Sequence, residues 1–585
     1  MKRLEKKALF WGTLFLFLFS MSPTKAYLQE SSAKITELLP LTLIQKSCHP
    51  KMEHLLFRLM SRYSLGGIEG ATKFAAQRKI DVSGNMVRLV VEAQPEGMIE
   101  TEYFALVSSL KLQIENLRGR VEAIDGLFLQ CLLPFDSIQL VVDLSTVRYL
   151  RFPIKMKHFV TSEGVSKTGA NRWHSMAAYR SEAASVCILD LGFQGYESLL
   201  GNELPSSVIT KSFRGDNDLS AGEVHGSACA EIVYDMAPEA KLFLVNFATT
   251  VELSNAVDWI IGQGADIISA SFGNNYFPGN GTGPTCDAVK KAYDHGIVWV
   301  NAAGNEAEDH WAGTYADQDG DRWHNFSGTD EVLSFDTPAY VPVDVLLRWD
   351  DWGTWNGSRY SGSNQDYDLF LFILNGSTWI EVDKSEGPQN GGQDPVEGIF
   401  GWYSRKPAKW GIAIRKYAAT RKVIFDAFIS NHLGNIEYNR PAGSLSSPGD
   451  SQYSLTVGAV DWSDDSYHTY SSQGPTADGR IKPDLCAPSA VTTVSYGDPF
   501  YGTSSACPHV SGALALLKGK MPFSLGEIQK IVESRAIDLG ISGKDNVFGL
   551  GRLNLLEENF SSRNRRGTRN KTTQFVPIVN KPGKH

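Results

Sequence analysis

Runs of consecutive apolar residues, each followed by a polar or small residue, recur through the middle of the chain. Residues 184–190 and 297–301 are the clearest; the first run ends in Asp190, and Asn305 follows the second. A continuous apolar run of this length is typical of a strand buried on both faces, as in a parallel sheet covered by helices. The pattern therefore predicts an α/β fold with polar groups at the carboxyl edge of its sheet.

Residues 310–445 have a different pattern, in which apolar and polar residues alternate. Turn signals such as Asn356-Gly357 and Asn375-Gly376 separate the alternating runs. Alternation is typical of strands with one buried face, and Asn-Gly pairs favour tight hairpins. We predict an antiparallel β-sandwich with strands over 343–349, 367–373, 410–415 and 422–428.

Upstream of the apolar runs, residues 80–153 predict a small α+β unit. The expected order is strand, helix, strand, strand, helix, strand, which is the ferredoxin-like arrangement. The elements are predicted over 86–93, 100–118, 120–124, 128–133, 135–144 and 147–151.

The first residues have the pattern of a secretory signal. A basic stretch at 1–7 precedes an apolar stretch at 8–21, and Ala26 is a small residue suited to cleavage. Because an apolar stretch of 14 residues is too short to span a membrane comfortably, we predict a signal peptide over 1–26 and no membrane span after its removal. The product is expected to be secreted or in the cell envelope.

Composition excludes several classes of protein. The 585 residues have a net charge of −9, which gives no reason to expect nucleic-acid binding. Seven cysteines are few and odd in number, so no disulfide framework is implied. The tail 559–585 contains basic residues and no acid, and we expect it to be disordered.

A turn that leads directly into an apolar helix is the first candidate for chemistry. Gly502 and Thr503 precede Ser504, and small and apolar residues follow. A serine at a helix N-terminus lies where unpaired N–H groups favour developing negative charge, although on its own such a serine is most often a cap. Acting as a nucleophile would require a neighbouring base and a group that orients the base.

Three other side chains could supply those groups. Asp190 closes the run 184–190, although a capping aspartate is an equally good interpretation of it alone. His225 is followed by small residues and an amphipathic helix, and we expect it to face outward. The amide of Asn305 could donate to an oxyanion, although Gly-Asn is most often only a turn.

The four segments occur in one order along the chain, and together they resemble the motifs of the subtilisin-like serine peptidases, the subtilases. Asp, then His, then Ser is the chain order of that family and differs from the orders of chymotrypsin-like and α/β-hydrolase enzymes. The resemblance covers about 165–309 and 446–558. Its motifs are Asp190-Leu-Gly, His225-Gly-Ser, Ala303-Gly304-Asn305 and Gly502-Thr-Ser504.

The resemblance implies a subtilisin-like catalytic domain, a parallel sheet flanked by helices, and a role for each group. Ser504 would be the nucleophile, His225 the general base, Asp190 its orienting carboxylate and Asn305 an oxyanion donor. The chemistry would require no cofactor. The substrate would be a protein or peptide.

The same resemblance implies where substrate binds. Ser271, Phe272 and Gly273 would pair with substrate backbone, and Ala302, Ala303 and Gly304 would form a wall of the specificity pocket. The sequence departs from the family pattern at three positions, none of which removes a catalytic atom. These are Leu191, Ser227 and Ser505.

Spacing indicates an insertion, because 199 residues separate Asn305 from Ser504, about three times what the minimal fold needs. Since the insertion departs soon after Asn305, we expect it to lie beside the specificity pocket and to limit or steer substrate. The predicted segments are a signal peptide (1–26), a propeptide (27–160), the catalytic domain in two parts (161–309 and 446–558), the inserted β-sandwich (310–445) and the tail (559–585).

The N-terminal unit resembles the propeptides of subtilases, which assist folding and block the active site until they are cut. The protein's own propeptide would then be its inhibitor, with cleavage in the polar stretch 154–172. A permanent structural domain is the alternative.

Two acidic clusters in the insertion suggest calcium. Asp317, Asp319 and Asp321 place carboxylates at alternate positions around a glycine, as calcium loops do, but the distal glutamate of an EF-hand loop is not evident. A solvated acidic loop is at least as good an interpretation. The second candidate cluster comprises Asp350, Asp351, Asp366 and Asp368.

The sequence favours a secreted subtilisin-like endopeptidase made as a zymogen. Two alternatives are a catalytically idle scaffold whose insertion binds a surface polymer or protein, and a highly selective processing enzyme. The sequence does not define the residue preferred at the cleavage site.

Overall fold

A computed structural model describes residues 49–77, 80, 82–95, 97–99, 102–153, 157–158, 164–176, 184–221, 223–496 and 499–556. The predicted signal peptide and basic tail lie outside these residues.

Residues 49–153, here called the N-terminal domain, form one sheet with helices packed against it. The sheet runs in the order β3-β4-β2, with β1 and β5 both pairing with the other edge of β2, and all pairs are antiparallel. The core four strands thus have the order of a ferredoxin-like sheet. The elements are α1 (His54–Gln77), β1 (Val82–Ser83), β2 (Met86–Ala93), α2 (Tyr103–Asn116), β3 (Arg120–Asp125), β4 (Phe128–Pro134), α3 (Phe135–Val142) and β5 (Val147–Arg151).

Helix α1 precedes the region in which the sequence pattern predicted structure. It is kinked at Gly67, which has non-helical φ and ψ angles. Its buried residues Leu56, Leu59 and Phe74 belong to the same core as β2 and β4. The N-terminal domain therefore begins well before residue 80.

The central sheet has seven parallel strands in the order β22-β21-β12-β10-β7-β9-β8. This confirms the predicted parallel α/β fold. The strands that follow the N-terminal domain, up to the insertion, are β6 (Lys157–His158), β7 (Ser185–Asp190), β8 (Ile209–Ser212), β9 (Lys241–Asn246), β10 (Ile267–Ala270), β11 (Phe272–Gly273) and β12 (Val298–Ala302). After the insertion come β21 (Ser454–Asp461) and β22 (Leu485–Ser489).

Helices cover both faces of this sheet. The helices are α4 (Val165–Thr168), α5 (Ala170–His174), α6 (His225–Met236), α7 (Thr250–Gln263), α8 (Pro284–Asp294), α9 (Thr503–Lys520) and α10 (Leu525–Arg535). Buried residues of α6, α9 and α10 share one core with the sheet, and those of α7 and α8 form the core on the opposite face. Strands covered on both faces explain the continuous apolar runs.

The insertion is a sandwich of two four-stranded antiparallel sheets with aromatic residues between them. One sheet has the order β13-β20-β15-β18 and the other β14-β19-β16-β17. The strands are β13 (His310–Thr314), β14 (Leu333–Thr337), β15 (Val343–Trp349), β16 (Asp366–Asn375), β17 (Thr378–Ser385), β18 (Val396–Trp402), β19 (Ala408–Ala418) and β20 (Ile424–Ser430).

Within the part of the chain that the structure describes, no helix is both long and apolar enough to cross a bilayer.

Candidate active site

Asp190 and His225 form a buried, directly bonded pair. Asp190 is the last residue of β7, and His225 is the first residue of α6. The His225 Nδ1 lies 3.0 Å from Asp190 Oδ1 and 2.9 Å from Oδ2. The N–H of Leu191 also donates to Asp190 Oδ1, at 2.7 Å, and so helps to fix the carboxylate. Asp190 therefore orients the imidazole and places the proton on Nδ1.

Glycine at 226 permits this close approach. A Cβ there would lie 2.6 Å from the carbonyl oxygen of Gly192 and 2.9 Å from the Cβ of Asp190. Any larger residue would push the start of α6 away from the end of β7. This gives a physical reason for the His-Gly dipeptide.

His225 is buried, which corrects the expectation that it faces outward. Its side chain is 3% exposed. The ring of Phe500 packs edge-on against it, with the ring centroids 5.6 Å apart. An aromatic residue nearly three hundred positions away therefore covers the imidazole.

Two opposing effects act on the pKa of His225. Burial lowers it, but the negative charge of Asp190 and the hydrogen bond to it outweigh burial and hold the pKa well above its ordinary value near 6.5. The neutral form, which can accept a proton, therefore requires a higher pH than for a free histidine.

Ser504 lies at the N-terminus of α9, as predicted. It is the second residue of that helix, and its Oγ donates to the carbonyl oxygen of Ser271 at 3.3 Å. Ser271 follows directly after β10, and β10 is the parallel neighbour of β7. Since the carboxyl ends of neighbouring parallel strands meet at one edge, Ser504 lies at the same sheet edge as Asp190.

Asn305 forms hydrogen bonds with Thr503, the residue that precedes Ser504. Its Oδ1 accepts from the backbone N–H of Thr503 at 3.0 Å and from the Thr503 hydroxyl at 3.1 Å. With Oδ1 bound in this way, Nδ2 is the atom of the amide that can donate to an oxyanion. Thr503 also bonds the N–H of Gly304 through its hydroxyl, at 3.1 Å.

The segment 302–304 is shaped for close packing. Ala302 and Ala303 are fully buried. Gly304 has a φ of +112°, and a Cβ there would lie 2.7 Å from the hydroxyls of Ser446 and Ser472. Only glycine fits this backbone conformation and this space.

The segment 271–273, which was predicted to pair with substrate backbone, follows directly after β10. Phe272 and Gly273 form β11, which pairs antiparallel with β6, placing His158 opposite Phe272 and Lys157 opposite Gly273. This edge therefore accepts an added strand, and here the strand comes from the segment that follows the N-terminal domain.

The inserted sandwich contacts the segment that follows β11. Arg348, on β15, donates from Nη1 to the carbonyl oxygen of Asn275 at 3.0 Å. Arg348 also pairs with Asp426 at 3.2 Å. The insertion is thus in direct contact with the end of the candidate substrate strand.

Several residues beside the site were given no functional role from the sequence. Cys229 lies one helical turn after His225, with its Sγ 4.0 Å from His225 Nδ1 and 3.7 Å from the carbonyl oxygen of Ser504. The spacing of four residues on a helix could have indicated this contact. The approach of Phe500 and the anchoring of Asn305 by Thr503 carry no local signal.

The two candidate metal clusters differ in the contacts that their carboxylates make. Asp317, Asp319 and Asp321 converge, each with a carboxylate oxygen within 4.8 Å of the others. Three carboxylates of the second candidate cluster pair with arginines: Asp350 and Asp351 with Arg421, at 3.1 and 2.9 Å, and Asp368 with Arg415, at 3.2 Å.

A parallel sheet with a bonded Asp–His pair and a serine at a helix start on one edge is the arrangement of an α/β serine hydrolase. The family model described as "Subtilase family" matches residues 181–335 and 391–551, which is more than half of the chain. The chain therefore belongs to the subtilase family.

Individual relatives match the chain either at low sequence identity or over a short segment. The minor extracellular protease Vpr of Bacillus subtilis is 22% identical over 413 residues, which cover 62% of this chain and 49% of the relative. The extracellular serine protease of Serratia marcescens is 47% identical over 55 residues, covering 9% of this chain and 5% of the relative. The chain thus spans about half of the first relative and a small part of the second.

Among solved structures, the Clostridium perfringens CspB protease is 17% identical, with a TM-score of 0.46. The match covers 66% of this chain and 96% of that one.

Proposed function

We propose that the protein is a secreted serine endopeptidase that cleaves peptide bonds through an acyl-enzyme on Ser504. The observation that carries this proposal is the buried bond between His225 and Asp190, at the sheet edge where Ser504 lies in the first turn of α9. Asn305, bonded to the residue before Ser504, supports it further.

The proposed reaction begins when Ser504 Oγ attacks the carbonyl carbon of the scissile bond. His225 Nε2 takes the hydroxyl proton, and Asp190 stabilises the resulting imidazolium. The carbonyl π electrons move to the oxygen, and this oxyanion accepts hydrogen bonds from Asn305 Nδ2 and from the backbone N–H of Ser504. Collapse of the intermediate expels the amine, which receives the proton from His225, and water then releases the acyl group by the same steps.

Substrate would bind as an added strand along β11. Main-chain bonds to residues 271–273 would provide affinity for any extended peptide, and the pocket wall at 302–304 would choose one side chain. The observed pairing of β6 with β11 supports this mode of binding.

The N-terminal domain would act as a propeptide and inhibitor. Its strand β4 contributes Gln130, whose Nε2 donates to Glu252 at 2.8 Å and whose Oε1 accepts from the hydroxyl of Thr249 at 2.6 Å. These two partners cap the N-terminus of α7. The N-terminal domain is therefore bound to the N-terminus of α7. Because β6 pairs with β11, a substrate peptide could not pair with β11 at the same time.

Secretion is supported by the two extracellular relatives and by the predicted signal peptide. A highly selective processing enzyme is the alternative, and the contact of Arg348 with Asn275 favours it because the insertion borders the substrate strand. Casein digestion separates the two: extensive degradation supports a general endopeptidase, and intact casein supports the selective enzyme.

Replacing Asn305 by alanine is expected to lower kcat about 100- to 1000-fold with little change in KM, because the amide would bond the oxyanion and not the ground-state carbonyl. Steady-state kinetics on a peptide substrate measure this. The matched control is Asn356→Ala, since Asn356 lies in an exposed turn of the insertion. An equal loss in both variants, or a change confined to KM, would contradict the role of Asn305.

A further inference from the structure

The loop between β13 and β14 brings three carboxylates together. Asp317, Asp319 and Asp321 each have an oxygen within 4.8 Å of the other two. Oxygen ligands at 2.3–2.6 Å from one calcium ion lie at most about 5 Å apart, so this spacing fits a single ion. An acidic loop alone would not establish a site, because exposed carboxylates often cluster without a ligand.

Glu331, at the other end of the loop, is an independent observation. Its side chain is only 3% exposed. Both of its carboxylate oxygens are buried and have no hydrogen-bond partner. A buried carboxylate without a partner is costly, so its position calls for a compensating positive charge.

The surroundings of Glu331 add negative charge. The carboxylates of Asp321, Asp319 and Asp330 lie close enough to Glu331 to repel a negative charge on it. Among the residues that the structure describes, no lysine, arginine or histidine pairs with Glu331 or with the three converging aspartates. Carboxylates that converge in this way without a protein cation favour a bound metal ion.

We propose that Asp317, Asp319, Asp321 and Glu331 bind a calcium ion in the inserted sandwich. All four side chains are carboxylates, and no cysteine or histidine belongs to the converging group of Asp317, Asp319 and Asp321, which excludes the usual zinc donor set. The partly exposed aspartates leave room for water to complete the coordination that calcium prefers. Glu331 takes the place of the distal glutamate that is not evident from EF-hand spacing.

The ion connects the two sheets of the sandwich. β13 belongs to one sheet and β14 to the other, and the four ligands lie on the segment that joins them. The site does not take part in peptide hydrolysis. Its role is to hold the insertion together, and this role stands whether or not the proposed peptidase activity is correct.

Binding is tested on the full chain carrying Ser504→Ala, which prevents self-digestion. Tb³⁺ replaces calcium as a luminescent probe, because Tyr315 donates to Asp317 at 3.1 Å and lies close enough to transfer excitation to the ion. We expect saturable luminescence that Ca²⁺ displaces. Affinity should fall at least about tenfold in Glu331→Gln and in Asp319→Asn, and should be unchanged in Asp336→Asn, an exposed acid on β14.

The melting temperature provides a second test, because the difference between Glu331→Gln and the parent should reverse when Ca²⁺ is added. In EDTA, Glu331→Gln should melt at a higher temperature than the parent, because it removes a buried unpaired charge. In excess Ca²⁺ the order should reverse, because the parent binds the ion. Absence of saturable Tb³⁺ binding, equal binding in all three variants, or an order of melting temperatures that Ca²⁺ leaves unchanged would overturn the proposal. Asp319 is exposed, so its variant tests binding even if Glu331→Gln fails to fold.

Discussion

Ser504→Ala is expected to lower kcat by about 10⁵-fold or more, to the limit of detection, because the variant lacks the hydroxyl that would form the acyl-enzyme. Folding should be unaffected, since the lost bond is a single 3.3 Å contact with the carbonyl oxygen of Ser271. Peptide hydrolysis measures the loss, and thermal unfolding checks the fold. The matched control is Ser505→Ala, one residue along the same buried turn, which should retain activity within about tenfold.

Ser504→Ala also tests whether the N-terminal domain is a propeptide. The secreted active protein should begin shortly after His158, because β6 pairs at that point with β11, the proposed substrate strand. Ser504→Ala should keep the N-terminal domain attached if the cut is made by the enzyme itself. N-terminal sequencing of both products gives the answer, and an identical new N-terminus in the two would contradict self-cleavage.

Asp190→Asn is expected to lower kcat about 10⁴-fold while leaving the protein folded, because an amide cannot hold Nδ1 of His225 in the protonated tautomer. The change also moves the pH profile. In the parent, Asp190 holds the pKa of His225 well above 6.5, so activity should fall as the pH is lowered from the alkaline side towards that value. Without this charge, burial lowers the pKa of His225, and the residual activity should persist to lower pH.

The control is Asp266→Asn, which changes another carboxylate of the same sheet. Asp266 accepts bonds from the N–H and hydroxyl of Ser185, both at 2.8 Å, and forms an ion pair with Lys518. Its loss should lower the melting temperature with little effect on kcat. If Asp190→Asn loses activity at the same low pH as the parent, the assignment of His225 as the base would be contradicted.

The positions of the proposed catalytic groups Asp190, His225 and Ser504 could be predicted from sequence because each lies at the end of a strand or the start of a helix. The continuous apolar run before Asp190 and the apolar run after Ser504 fix the elements that carry them. The local sequence pattern also predicted strands over 86–93 and 147–151, which are the residues of β2 and β5 in the structure.

Features that depend on distant contacts could not be predicted in this way. Helix α1 has a kink at Gly67 and few local signals, and its position depends on packing of Leu56 and Phe74 against the sheet. The burial of His225 depends on Phe500, which comes from the other end of the catalytic domain.

The acidic residues of the insertion show the same limit. Asp350 and Asp351 look like ligands in sequence, but Arg421 reaches them from the loop before β20 and neutralises both. Among the described residues no arginine pairs with Asp317, and folding of the loop brings Glu331 to its cluster from a spacing that no calcium motif would indicate.

Covalent labelling with a fluorophosphonate tests the central claim most directly, because the reagent reacts with a serine only when a base and an oxyanion site activate it. Peptide mapping of the mature protein should place one adduct on Ser504, retained in Ser505→Ala and absent from Ser504→Ala. An adduct on another residue, or no labelling of the mature protein, would contradict the account.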